Sequence, residues 1–189
     1  MTPILPDNYW TLAVLVVPAA TVYASVIDYR ERRVPNWLNA TLAAFGIVAQ
    51  ASYFGTEGVK AAFLGMLVGF GMLIVPWMMH GMGAGDVKLM AAVGAWFGPW
   101  LTLLGGALGI LIGGVIAVVM ILVTGKAGQA KANLGVIVAK CCDRTTVFSE
   151  FGSTRSFGSK TTLLPYGIPL TMGSLVILGT RYFEWAVLL

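Results

Sequence analysis

Charge is what this 189-residue chain has least of: 11% of its residues are Asp, Glu, Lys or Arg, against about 25% in an ordinary soluble domain. With a mean hydropathy of +0.84, that shortage excludes a soluble globular protein and points to a membrane one. Histidine occurs once, as His80, which argues against a histidine-based metal site or catalytic triad. The two cysteines, Cys141 and Cys142, are adjacent. They form no CxxC pair of the kind that suggests zinc or redox chemistry, and in a cytosolic loop they are expected to stay reduced. Met1 to Tyr9 carries no Lys or Arg, so the apolar stretch that follows reads as a mature helix rather than a signal peptide.

What the chain does have is long apolar runs. A helix needs about 20 apolar residues to cross the hydrocarbon core. The first predicted span is 9–27, with a kink expected at Pro18. A charged turn, 28–35, leads to a second span, 37–54, with Asn36 as its N-cap after Pro35. A polar turn over 55–60 precedes the third, 61–80, which contains Pro76. From Val87 to Thr124 the only charge is Lys88. As one straight helix at about 1.5 Å per residue, that run would be nearly twice the core thickness of about 30 Å. Gly98-Pro99 is the natural turn within it, giving a short fourth helix over 87–97 and a fifth over 101–124. A short helix beside the glycine-rich 81–86 segment suggests broken backbone lining a wet cavity. In the polar stretch 125–162, Ala130, Leu134, Ile137 and Val138 fall at helical spacing, as in an amphipathic helix lying on a membrane. The sixth span is 169–188. The predicted fold is all-α: one polytopic domain, 1–189, with six transmembrane helices and a cytosolic or interfacial loop at 125–162.

With the N-terminus outside, only Lys60 and Arg181 of the 12 Lys and Arg fall outside, a strong positive-inside bias. Asp28 and Asp86 then share the cytosolic layer. Arg30, Arg32 and Arg33 read as topology determinants and headgroup contacts. Lys88 lies about 200° round a helix from Asp86, so it is expected to snorkel to the interface or to touch lipid phosphate or substrate. Small residues four apart, Gly65 with Gly69 and Gly105 with Gly109 and Gly113, suit close helix packing. Trp10, Trp37, Trp77, Trp96, Trp100 and Trp185 lie near span ends and read as interface anchors.

Taken singly, Asp28 is a solvated acid in a charged turn and Asp86 a helix N-terminal acid favoured by the macrodipole. Taken together they are two carboxylates in one membrane layer, where ionisable groups are often functional. Close like charges cannot both ionise cheaply, so such a pair shares a proton. One acid then activates a water while the other, protonated, hydrogen-bonds a scissile carbonyl. Gly83 and Gly85 would let a substrate backbone come near Asp86.

These residues carry a resemblance. Asp28-Tyr29-Arg30-Glu31-Arg32-Arg33-Val34-Pro35-Asn36 resembles the first aspartate motif of the prepilin peptidases, membrane proteases of the GxGD aspartyl class. Gly83-Ala84-Gly85-Asp86-Val87-Lys88-Leu89 is similar to their GxGDxKL motif, and Pro165-Tyr166-Gly167-Ile168-Pro169 to their late Pro-aromatic-Gly segment. The resemblance implies that Asp28 and Asp86 are the catalytic pair and that Gly83, Gly85 and Tyr166 line the substrate cleft, although Tyr166 equally suits an aromatic belt. It implies a prepilin or pilin-like precursor as substrate and partner, cut at the cytosolic face of a bacterial inner membrane, with no cofactor and no metal.

Many long members carry an extra cytosolic domain with CxxC pairs and also methylate the new terminus. This chain has no CxxC and looks like the short form associated with Flp/Tad-type pili, so peptidase activity without methyltransferase activity is expected. The nearest alternative is an archaeal-type preflagellin peptidase; a presenilin-like enzyme would place its first acid deeper in a span. From other classes come a proton- or cation-coupled transporter, which would favour midplane acids and an inverted repeat, and a structural subunit of a secretion assembly.

Overall fold

The computed structural model describes residues 7–31, 34–78, 82–124 and 167–187. Every element among them is helical: α1 (Asp7–Glu31), α2 (Asn36–Met78), α3 (Ala84–Thr124) and α4 (Gly167–Val187). Three stretches are long and apolar enough to cross a membrane, Asn8–Glu31, Asn36–Met78 and Ala84–Val123. The predicted amphipathic helix of the 125–162 segment, both cysteines, His80 and Tyr166 lie outside the described residues.

Two of the helices are broken by a single glycine. Gly55 interrupts α2 at φ 62°, ψ −140°, and Gly98 interrupts α3 at φ 69°, ψ 178°. Both occupy the positive-φ region where a Cβ is disfavoured. Each break reverses the chain. Along the first limb of α2, Asn39 meets Gly85 and Gln50 meets Trp96. Along the second, Gly65 meets Gly94 and Gly69 meets Met90. The two limbs of α2 therefore lie against the same first limb of α3 in opposite directions. The predicted six-residue polar turn over 55–60 is a correction: helix resumes directly after Gly55, because one residue at positive φ suffices, and Glu57 and Lys60 form an i,i+3 ion pair at 2.7 Å on the new limb. The turn at Gly98 falls where expected, and Pro99 starts the next limb, where its missing N–H is harmless.

The first limb of α3 is the centre of the bundle. Leu89, Ala92, Val93, Trp96 and Phe97 join Tyr9, Ala13 and Val17 of α1, Leu38 and Leu42 of α2 and Leu178 of α4 in one buried core. A helix apolar on all sides belongs in such an interior. Gly65 and Gly94 meet so closely that a Cβ on either would overlap the other's carbonyl, so the expected small-residue packing holds there. Large apolar side chains also cover the outside, among them Leu15, Leu67, Leu111, Leu122 and Val123, a surface that suits lipid and not water.

Trp96 departs from its expected place at the interface. It is 1% exposed, and its Nε1 donates to the Leu42 carbonyl at 2.9 Å. A buried indole needs such an acceptor, and the central limb supplied one that span-end position did not reveal.

Candidate active site

At the end of the bundle remote from Gly55 and Gly98, four helix ends meet. The last turn of α1 carries Asp28, the start of α2 carries Asn36 and Asn39, the start of α3 carries Asp86 and Lys88, and α4 begins at Gly167. Asp28 was expected in a charged turn; α1 in fact continues to Glu31, so Asp28 is held by helical backbone and is 7% exposed.

Asp86 is placed by its own helix start. Gly83 precedes the first residue of α3, and its N–H donates to Asp86 Oδ2 at 3.3 Å, while the Asp86 N–H donates to the Gly83 carbonyl at 3.2 Å. The acid at the third helical position reaches back as in one half of a capping box; glycine has no side chain for the other half, and its backbone carbonyl takes the Asp86 N–H instead. This capping engages one carboxylate oxygen only. Oδ1 is buried with no hydrogen-bond partner among the described residues, and Asp86 as a whole is 4% exposed. Capping therefore explains half of this side chain.

The two acids lie within electrostatic reach of one another. Both line one cavity of about 310 Å³, together with Val34, Asn36, Gly83, Ala84, Gly85 and Lys88. The structure thus brings Asp28, Asp86, Gly83 and Gly85 to one place. Gly85 presses on Val34, where a Cβ would lie 3.0 Å from the valine Cβ, so this segment lies close against the start of α2.

Lys88 and Asn36 were read separately, as a snorkelling cation and a helix cap. They touch: Lys88 Nζ donates to Asn36 Oδ1 at 2.9 Å, at the edge of the same cavity. The flexible four-carbon stem lets the ammonium return to a site that the helix angle alone places it away from.

Three further contributors escaped the sequence. Asn39, 4% exposed, donates from Nδ2 to the Gly85 carbonyl at 3.3 Å, while its Oδ1 has no partner among the described residues. Ser25 and Thr171 join α1 to α4 through a hydroxyl pair at 2.7 Å. Asparagine and hydroxyl side chains are common in helices, and only the fold shows which backbone they meet. Among the described residues no three His, Cys, Asp or Glu side chains are grouped to hold a metal ion.

An all-helical protein with membrane-length apolar helices and two buried carboxylates facing one cavity is the class defined by fold and site. The comparisons narrow it. The model of the Type IV leader peptidase family matches residues 15–118, and this chain belongs to that family. A prepilin leader peptidase/N-methyltransferase of Escherichia coli strain K12 is 31% identical over 168 residues, covering 85% of this chain and 59% of the relative. A type 4 prepilin-like proteins leader peptide-processing enzyme of Escherichia coli O78:H11 is 32% identical over 101 residues, covering 50% of this chain and 38% of that protein. A prepilin leader peptidase/N-methyltransferase of Xanthomonas campestris pv. campestris is 35% identical over 91 residues, 44% of this chain and 31% of its own length. The chain thus spans less than two thirds of each of these relatives. No solved structure matches it.

Proposed function

We propose that this protein is an integral membrane aspartic endopeptidase that removes the leader peptide of prepilins or pilin-like precursors, with Asp28 and Asp86 as its catalytic pair. The observation that carries the reading is the meeting of two buried carboxylates, from helices distant in sequence, on one cavity. Family membership and the names of the relatives supply the substrate class.

In the proposed cycle the pair holds one proton. The ionised acid takes a proton from water as the oxygen adds to the scissile carbonyl carbon, and the protonated acid gives its proton to the carbonyl oxygen. The resulting gem-diol collapses as the first acid protonates the leaving nitrogen and the second recovers a proton from a hydroxyl. The C–N bond breaks and the pair returns to its starting state. Activity then requires the singly protonated pair, so the pH profile of kcat is bell-shaped and belongs to the two acids jointly.

The helical limbs of α1 to α4 are read as six membrane crossings of the GxGD aspartyl type, with the aspartate end at the cytosolic face of a bacterial inner membrane. The distribution of Lys and Arg supports that orientation. Gly83 and Gly85 are assigned to the path of the substrate backbone, and Tyr166 to the same cleft. Because the two cysteines are adjacent rather than in CxxC pairs, leader cleavage without N-methylation, on a Flp/Tad-type substrate, is the activity assigned to this chain.

The deciding experiment reconstitutes the chain in proteoliposomes with a Flp-type prepilin and compares it with Asp28→Asn and Asp86→Asn at matched folded amount. The wild type trims the leader and neither variant does; persistent cleavage by either variant would remove that acid from the dyad. Mass spectrometry of the product terminus, with methyl donor present, checks the second claim, and a methylated terminus would contradict it.

A further inference from the structure

The first turn of α4 lies against Asp28 with nothing in between. A Cβ built on Gly167 would stand 3.1 Å from Asp28 Oδ2 and 3.5 Å from Asp28 Cβ, closer than side-chain carbons normally approach an oxygen. The same glycine's carbonyl is met from α1 by Ser25 Oγ at 3.1 Å and from within α4 by Thr171 Oγ1 at 2.8 Å. The two hydroxyls lie 2.7 Å from each other. Both also lie within reach of the Thr21 carbonyl of α1, Ser25 Oγ at 2.9 Å and Thr171 Oγ1 at 3.2 Å, so their two protons are shared among the Gly167 and Thr21 carbonyls and each other. Ser25 is one turn before Asp28 on α1, and Thr171 one turn after Gly167 on α4. The hydroxyl pair therefore sets the separation of the two helices immediately beside the carboxylate.

We infer that the first turn of α4 positions Asp28: Gly167 is bare so that the carboxylate lies against its backbone, and the Ser25–Thr171 pair fixes that distance. The inference rests on the aspartic peptidase reading and assigns Gly167 and Thr171 as positioning residues, which touch the acid or its neighbouring backbone rather than the substrate. Misplacement of a reacting group by about 1 Å can lower a rate about 100-fold, and a methyl group at Gly167 requires a shift of a few tenths of that.

The test measures kcat and KM of the full chain in proteoliposomes, using a peptide with a basic leader ahead of an apolar helix. The variants are Gly167→Ala, Gly167→Val, Thr171→Val, Thr171→Ser and Asp28→Asn. Gly167→Ala lowers kcat about tenfold and shifts the pH profile of kcat, because the geometry of the proton-sharing pair changes; KM stays within about twofold. Gly167→Val lowers kcat further. Thr171→Val, which keeps the shape and loses the hydroxyl, lowers kcat severalfold, and Thr171→Ser restores most of it. Wild-type kcat in both Gly167→Ala and Thr171→Val, or a loss confined to KM, overturns the inference. If the glycine variants fail to fold, the contrast between Thr171→Val and Thr171→Ser decides alone. An active Asp28→Asn would instead sink the dyad itself, and this inference with it.

Discussion

The two ends of the bundle bury polar groups in opposite ways. At the end near Gly55 and Gly98, Tyr9 and Gln50 both donate to the Trp96 carbonyl and Trp96 donates to Leu42. Tyr9 also meets Trp10, Tyr53 and Phe54 edge to face. Donors there have acceptors, and rings fill the space. At the other end, Asp86 Oδ1 and Asn39 Oδ1 are buried acceptors without donors among the described residues, near a cavity of about 310 Å³. A satisfied buried network rigidifies a fold, whereas an unmet buried group is costly and calls for an explanation. The comparison teaches that the aromatic end holds the helices together so that the aspartate end can keep its hydrogen-bonding capacity open.

That contrast can be broken experimentally. The largest effect is expected from Asp86→Asn, which lowers cleavage by at least about 1,000-fold, of the order seen when a transition-state donor is lost, while thermal stability is kept or raised because a buried charge is gone. Trp96→Ala should do the reverse. It loses about 3–5 kcal/mol of stability, read by chemical denaturation in detergent, while each molecule that remains folded cleaves at the wild-type rate. Asn39 belongs to both descriptions, with one bond made and one acceptor open. Asn39→Leu is expected to lower kcat about tenfold with a change in stability under about 1 kcal/mol; a large stability loss at unchanged kcat would move Asn39 to the structural side. The smallest effect is that of Tyr9→Phe, about 1 kcal/mol of stability for one hydrogen bond and no change in kcat. A drop in kcat there would show that the two ends are coupled.

Much of this was legible in the residues. Long apolar runs required membrane-length helices, and the fully apolar stretch after Lys88 required a reversal, which Gly98 provides. Asp28 and Asp86, expected in one layer, line one cavity together with Gly83 and Gly85. What was illegible depends on who faces whom. Trp96 looks like any tryptophan near a span end until the central position of its limb is known. Lys88 is turned away from Asp86 by helical angle, yet its side chain is long enough to reach Asn36. The polar residues after Gly55 suggested a loop, but Glu57 and Lys60 are compatible with an exposed helical turn.

The single-residue reversals at Gly55 and Gly98 have a mechanical consequence. A one-residue joint has no spare length, so the limbs it connects cannot slide past each other; they can only splay, as the arms of tweezers do about a fixed pivot. Both pivots lie at the aromatic end, and the last turn of α1 and the starts of α2, α3 and α4 lie at the aspartate end. A small rotation at either glycine is therefore magnified over the length of a limb and arrives at the carboxylates as a change in gap.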